Sequence, residues 1–132
     1  MITVLFACVH NAGRSQIAAA LFNKYAHPGK ARAISAGTHP GERVHPEVVT
    51  AMKARGIDLS AQTPQKLTPE LASTASWLIT MGCGDECPVV PGTHRADWAI
   101  PDPKGQPPEG VARIIDTIDN LMRSFIKDSC VA

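Results

Sequence analysis

Neither sign of charge is in excess in this sequence. Its 132 residues carry 13 Lys and Arg against 12 Asp and Glu, a formal net charge of +1, so neither nucleic acid nor a membrane surface is an expected partner. A long apolar run is missing too: Ile2 to Ala7 is too short to span a bilayer and is followed by Cys8 and His10. With no basic leader or cleavage site before that run, the expected location is the cytoplasm. Internal repeats, low-complexity tracts and linkers are absent, and residues 1–132 are read as one domain. Only four cysteines occur. In a chain without a secretion signal they argue for reactive or metal-binding thiols rather than a disulfide framework.

What is present is an alternation of strand and helix signals. Ile2 to Ala7 reads as a buried strand of a parallel sheet. Ile17, Leu21 and Tyr25, with alanines between, give a helix from Ser15 that ends before His27-Pro28-Gly29. Ala31 to Ala36 is a second strand, and His45-Pro46-Glu47 opens a helix that stops at Arg55-Gly56. A short helix is expected within Leu67 to Ala72 and a third strand over Trp77 to Met81, with a fourth over Asp97 to Ile100. From Pro108, Val111, Ile114, Ile115, Ile118, Leu121, Met122, Phe125 and Ile126 recur at helical spacing. The order implies an α/β fold, a small four-stranded parallel sheet with helices on both faces. Right-handed crossovers would gather the loops after strands one, three and four at one edge.

The chemistry concentrates at the first of those loops. Cys8-Val9-His10-Asn11-Ala12-Gly13-Arg14-Ser15 runs from a strand into a helix start. Such a loop turns backbone N–H groups and the positive end of the helix dipole toward its concavity, which favours an anion. A cysteine there is favoured as a thiolate nucleophile, and Arg14 offers a planar fork of donors to a tetrahedral oxyanion. Cys83 and Cys87 form a close pair after the third strand, and Asp102 stands between Pro101 and Pro103. A zinc half-site at Cys83 and Cys87 with His94 is the competing reading. It lacks a fourth ligand nearby in sequence, so no metal is expected. Asp102 has its own plain reading as a turn former. Trp77 and Trp98 read as core, Cys130 as a spectator near the end of the last helix.

These residues resemble the low-molecular-weight tyrosine phosphatase fold and, more closely, the arsenate reductases within it. Both groups share the loop from Cys8 to Arg14 with Ser15, and the pair Asp102-Pro103. The reductase side is favoured by Val9 to Gln16 and by Thr80-Met81-Gly82-Cys83-Gly84-Asp85-Glu86-Cys87-Pro88. It is favoured also by Lys104-Gly105, where the phosphatases usually carry tyrosines.

The resemblance implies Cys8 as nucleophile, Arg14 and the N–H groups of Val9, His10, Asn11, Ala12 and Gly13 as oxyanion binders, and Ser15 as hydrogen-bond partner of the Cys8 thiolate. Asn11 would brace the loop, and Asp102 would act as general acid. It further implies a Cys8–Cys83 disulfide followed by a Cys83–Cys87 disulfide. The substrate would be arsenate, with phosphate or sulfate as mimics. The electron donor would be thioredoxin, or mycothiol with mycoredoxin; no cofactor is implied and a monomer is expected. Some such reductases hold potassium with an acidic residue after a Gln-Thr pair. Gln62-Thr63 is followed here by Pro64 and Gln65, leaving Ser35, Asn11 and Thr63 as an expected neutral network. Two other functions stay open: a tyrosine phosphatase working through Cys8 and Asp102, and a non-catalytic oxyanion or metalloid-binding module.

Overall fold

The computed structural model describes residues 1–82 and 90–129. Its central element is β1 (Ile2–Cys8), buried from Thr3 onward because it is covered on both faces and paired on both edges. Parallel pairing joins it to β2 (Ala31–Gly37) on one side and β3 (Trp77–Thr80) on the other, and β3 pairs in turn with β4 (His94–Asp97). The four-stranded order is β2-β1-β3-β4. Register places Cys8 beside Gly37 and Ala7 beside Thr80, so the carboxyl ends of the inner strands share one edge.

The two-residue period of β1 divides the core. Val4, Phe6 and Cys8 face a large cluster contributed by α1 (Arg14–Tyr25), α2 (Pro46–Lys53) and α4 (Pro108–Ser129). Leu5 and Ala7 face a smaller cluster with Ala36, Leu78 and Ala72 of α3 (Pro69–Ser73). Phe6 and Leu5 are fully buried, and each contributes about 1.5–3 kcal/mol of transfer free energy. Thr68 caps α3, its hydroxyl accepting from the Leu71 N–H at 3.1 Å, with Pro69 in the first turn. On the outer side, the Tyr25 hydroxyl of α1 donates to Asp119 of α4, and the Arg123 guanidinium bonds both.

The fourth strand differs from expectation. It lies at His94–Asp97, not Asp97 to Ile100, and its pattern is largely exposed. An edge strand pairs on one side only and needs no apolar run, so its sequence carries no strand signal. The apolar Trp98 and Ile100 follow it: the Trp98 N–H donates to the Thr80 carbonyl at 2.8 Å, and the Trp98 ring packs against Phe6 and Phe125.

Candidate functional site

The loop between β1 and α1 is held by its carbonyls. Those of Cys8, Val9 and His10 accept from the N–H groups of Thr38, His39 and Gly41, and that of Ala12 from His45. The Asn11 carbonyl accepts from Gln16 Nε2 at 3.1 Å, and the Gly13 carbonyl from Ile17 in α1. No peptide bond among the described residues is cis, and in a trans peptide the N–H points opposite to the preceding carbonyl. Fixing the carbonyls outward therefore turns the N–H groups of Val9 to Gly13 into the concavity. The loop approaches the end of β2 so closely that a Cβ at Gly37 would lie 2.6 Å from the Val9 carbonyl oxygen and 2.8 Å from the Asn11 nitrogen. α1 has no side-chain cap and no acidic residue in its first turn, so its positive end is not neutralised.

Cys8 is buried at the base of this concavity. Its Sγ lies 2.9 Å from Ser15 Oγ, which accepts from Asn11 Nδ2 at 2.7 Å. The Asn11 amide cannot be turned over, because its Oδ1 accepts from the Gln65 backbone N–H at 3.0 Å and a backbone N–H only donates. With Asn11 donating into Oγ, the Ser15 hydrogen is free to point at Sγ, the arrangement that stabilises a thiolate. Asn11 adopts φ +50, a left-handed conformation that asparagine tolerates better than most residues.

Arg14 extends over the neighbouring space. Its Nη1 donates to the Ile100 carbonyl at 3.1 Å, and its Nη2 lies 3.9 Å from Asp102 Oδ2. A Cβ at Gly82, whose φ is +91, would lie 2.6 Å from Nη1, so only glycine leaves the guanidinium its place there. Asp102 combines its two sequence readings. Oδ1 accepts from the Lys104 N–H at 3.0 Å, a turn-forming bond, while Oδ2 faces Arg14. Pro103 packs on Gly13, linking this segment to the loop.

Cys8, Asn11, Arg14, Ser15 and Asp102 are thus brought together. Cys83, Cys87 and Cys130 lie outside the described residues. His10 sits at the exposed rim, its Nδ1 donating to the His39 carbonyl at 3.0 Å. Among the described residues no cluster of three metal-ligating side chains occurs. The neutral network around Asn11 is built by Gln16 and Gln65; Gln65 Nε2 donates to the Ser35 carbonyl. Both Asn11 oxygens already accept N–H bonds, and the adjoining cleft, lined by Gln16, Ser35, Thr63 and Gln65 among others, contains no carboxylate. Sequence reasoning missed the structural parts played by Gln16 and by the N–H groups of residues 38–45. Gln16 was visible only as the residue after Ser15, and the others lie some thirty residues along the chain with nothing local to mark them.

Residues 3–129 match the family model described as low molecular weight phosphotyrosine protein phosphatase. A putative arsenate reductase of Halobacterium salinarum is 36% identical over 118 residues, covering 86% of this chain and 83% of that protein. The thioredoxin-dependent arsenate reductase of Corynebacterium glutamicum is similar in structure, with a TM-score of 0.84 at 41% identity over 97% of this chain. The chain spans 61% of that structure's length. A low molecular weight protein tyrosine phosphatase from T. tengcongensis reaches a TM-score of 0.84 at 23% identity, over 97% of this chain and 99% of that one. That last likeness is of fold.

Proposed function

From a chain that belongs to the low molecular weight phosphotyrosine protein phosphatase family, we propose an enzyme that reduces arsenate to arsenite by cysteine chemistry. The observation that carries this reading is the ring of inward N–H groups around Cys8, fixed by outward carbonyls and flanked by Arg14. It suits a tetrahedral oxyanion but does not separate arsenate from phosphate, which share shape and charge. The difference lies after attack, and it is the presence of Cys83 and Cys87 in the sequence, with the similarity to arsenate reductases, that favours reduction.

In the proposed reaction the Cys8 thiolate attacks arsenic and forms an S–As bond, while an arsenate oxygen leaves as water with a proton supplied by Asp102. Arg14 and the N–H groups of Val9 to Gly13 stabilise the charge. The Cys83 thiolate then attacks Cys8 Sγ; the S–As bond breaks with its electron pair going to arsenic, and arsenite departs as As(III). The resulting Cys8–Cys83 disulfide is opened by Cys87, which frees Cys8 and leaves a Cys83–Cys87 disulfide. An external dithiol of the thioredoxin type restores both thiols.

We read the setting as cytoplasmic, where such thiols are kept reduced, and the enzyme as a monomer. No helix among the described residues is long and apolar enough to cross a membrane. The test is thioredoxin-coupled arsenate turnover by wild type, Cys8→Ser, Cys83→Ser and Cys87→Ser, with mass spectrometry of disulfides trapped after one turnover. Loss of turnover in each variant and a Cys83–Cys87 product are expected; undiminished turnover in Cys8→Ser would sink the proposal. If Cys87→Ser stays fully active with mycothiol and mycoredoxin while thioredoxin fails with wild type, the donor is the mycothiol system. The proximity of Asp102 to Arg14 also suits the phosphatase alternative. That reading predicts aryl phosphate hydrolysis dependent on Cys8 and Asp102 and indifferent to Cys83.

A further inference from the structure

The loop carbonyls are held by donors of two kinds. Those of Cys8, Val9, His10 and Ala12 accept from backbone N–H groups of residues 38–45, and that of Gly13 accepts within the start of α1. The Asn11 carbonyl accepts from a side chain, the Gln16 amide. The same nitrogen lies 3.2 Å from Asn11 Oδ1, and two acceptors facing one end of the amide identify that end as NH2. Gln16 is buried and directly follows Ser15, so it reaches back over the loop from the first turn of α1.

We propose that Gln16 is a positioning residue that sets the Asn11–Ala12 peptide and thereby aims the Ala12 N–H at the bound oxyanion. The inference rests on reading the loop as an oxyanion cradle. Asn11 is the one described non-glycine residue with positive φ, a sparsely populated conformation that persists where the surroundings hold it, and the peptide that follows it depends on that hold. A bond to its carbonyl is what keeps that peptide from turning over. A turned peptide would present an oxygen where the cradle needs a donor, exchanging attraction for repulsion at an anion. Gln16 also lines a cleft of about 210 Å³ beside the small side chains of Ala19, Ala20 and Ser35. The second bond, to Asn11 Oδ1, is shared with the Gln65 N–H. The Asn11–Ser15–Cys8 chain therefore keeps a support when Gln16 is replaced. Gln16 governs anion binding more than thiol reactivity.

Gln16→Met keeps length and removes the donor; Gln16→Glu keeps shape and places a carboxylate against two oxygens. The measurement is the sulfate concentration that protects Cys8 from iodoacetamide at fixed pH, beside the alkylation rate without sulfate. For Gln16→Met a rise in the sulfate Kd of roughly tenfold or more is expected, the loss of a hydrogen bond to an ion, with unprotected alkylation within about threefold of wild type, since the Asn11–Ser15–Cys8 bonds are kept. For Gln16→Glu, calorimetric titration with sulfate should show weak binding at about pH 8 that recovers toward wild type at about pH 5.5. A buried carboxyl facing two oxygens is protonated there and donates again; sulfate itself stays fully ionised. Should Gln16→Met fail to fold, that pH recovery carries the test alone. A sulfate Kd within twofold of wild type for Gln16→Met, or no recovery for Gln16→Glu, overturns the role of Gln16. Absence of protection in wild type overturns the cradle itself, a result these assays separate from the first.

Discussion

Around Cys8 every loop carbonyl has a fixed N–H partner, and Asn11 and Ser15 are fully buried. Asp102, on the far side of Arg14, is 45% exposed and meets the guanidinium only at 3.9 Å. One wall is set before any ligand arrives, while the other is loosely held. An exposed ion pair at that distance is worth about 0–1 kcal/mol, so an anion settling against Arg14 displaces little. A turned loop peptide, by contrast, forfeits a bond to the anion worth roughly 1.5–3 kcal/mol. The contrast suits a reaction in which the attacked atom must be placed first and the proton donor follows it in.

The contrast is open to attack from either wall. Asp102→Asn should lower arsenate turnover by roughly 10²–10⁴-fold, the range for a general acid, while sulfate protection of Cys8 and the melting temperature hold. An equal loss of sulfate binding would instead make Asp102 part of the fixed wall. Gly37→Ala forces a methyl group against the Val9 carbonyl and the Asn11 nitrogen. Overpacking of this kind costs about 1–3 kcal/mol, and a weakening of sulfate protection by roughly tenfold to hundredfold should accompany it. Unchanged protection would mean that the loop yields more than its bonding suggests. Ser15→Ala should slow iodoacetamide labelling of Cys8 near neutral pH by roughly tenfold, the loss of one charge-assisted bond, with Asp102 untouched.

The smallest effect lies away from both walls, at Tyr25, Asp119 and Arg123. Burial pushes the Asp119 carboxyl up, but bonds from Tyr25 and Arg123 outweigh it and hold the group below its ordinary 3.8. Burial and the Asp119 carboxylate both raise Tyr25 above its ordinary 10.0. A lowered carboxylate stabilises the fold above its unfolded value and ceases to as pH falls through the folded one. A raised phenol stabilises below its unfolded value and ceases to as pH rises through the folded one. Asp119→Asn should therefore cost stability at neutral pH, by about 1 kcal/mol, and the cost should shrink as pH falls from the ordinary 3.8 through the lower value of the folded state, where the wild-type carboxylate is itself protonated. A deficit constant from pH 3 to pH 7 would argue against a charged bond.

Local signals made the central part of the site legible. The apolar run into Cys8, the alanine-rich helix after Arg14 and the proline-flanked Asp102 each carry their structure in neighbouring residues. β4 did not, since His94–Asp97 draws its conformation from pairing with β3 rather than from apolar periodicity. The holding of the loop was equally hidden. Thr38, His39, Gly41 and His45 act through backbone N–H groups, which every residue but proline possesses. Side-chain identity cannot announce a role the side chain does not perform. Thr63, expected beside Asn11, gave way to Gln65, whose contribution to Asn11 is again a main-chain donor.

The outward carbonyls of the loop bear on how this loop could be transplanted. Residues 8–15 moved alone onto another strand-to-helix junction would arrive without their mould. The N–H groups of residues 38–45 dictate which way the peptides of Cys8, Val9, His10 and Ala12 turn, and Gly37 gives that mould its close fit. The portable piece is two segments that must travel as a pair, a discontinuous cassette in which the signature follows one strand and its template follows the next.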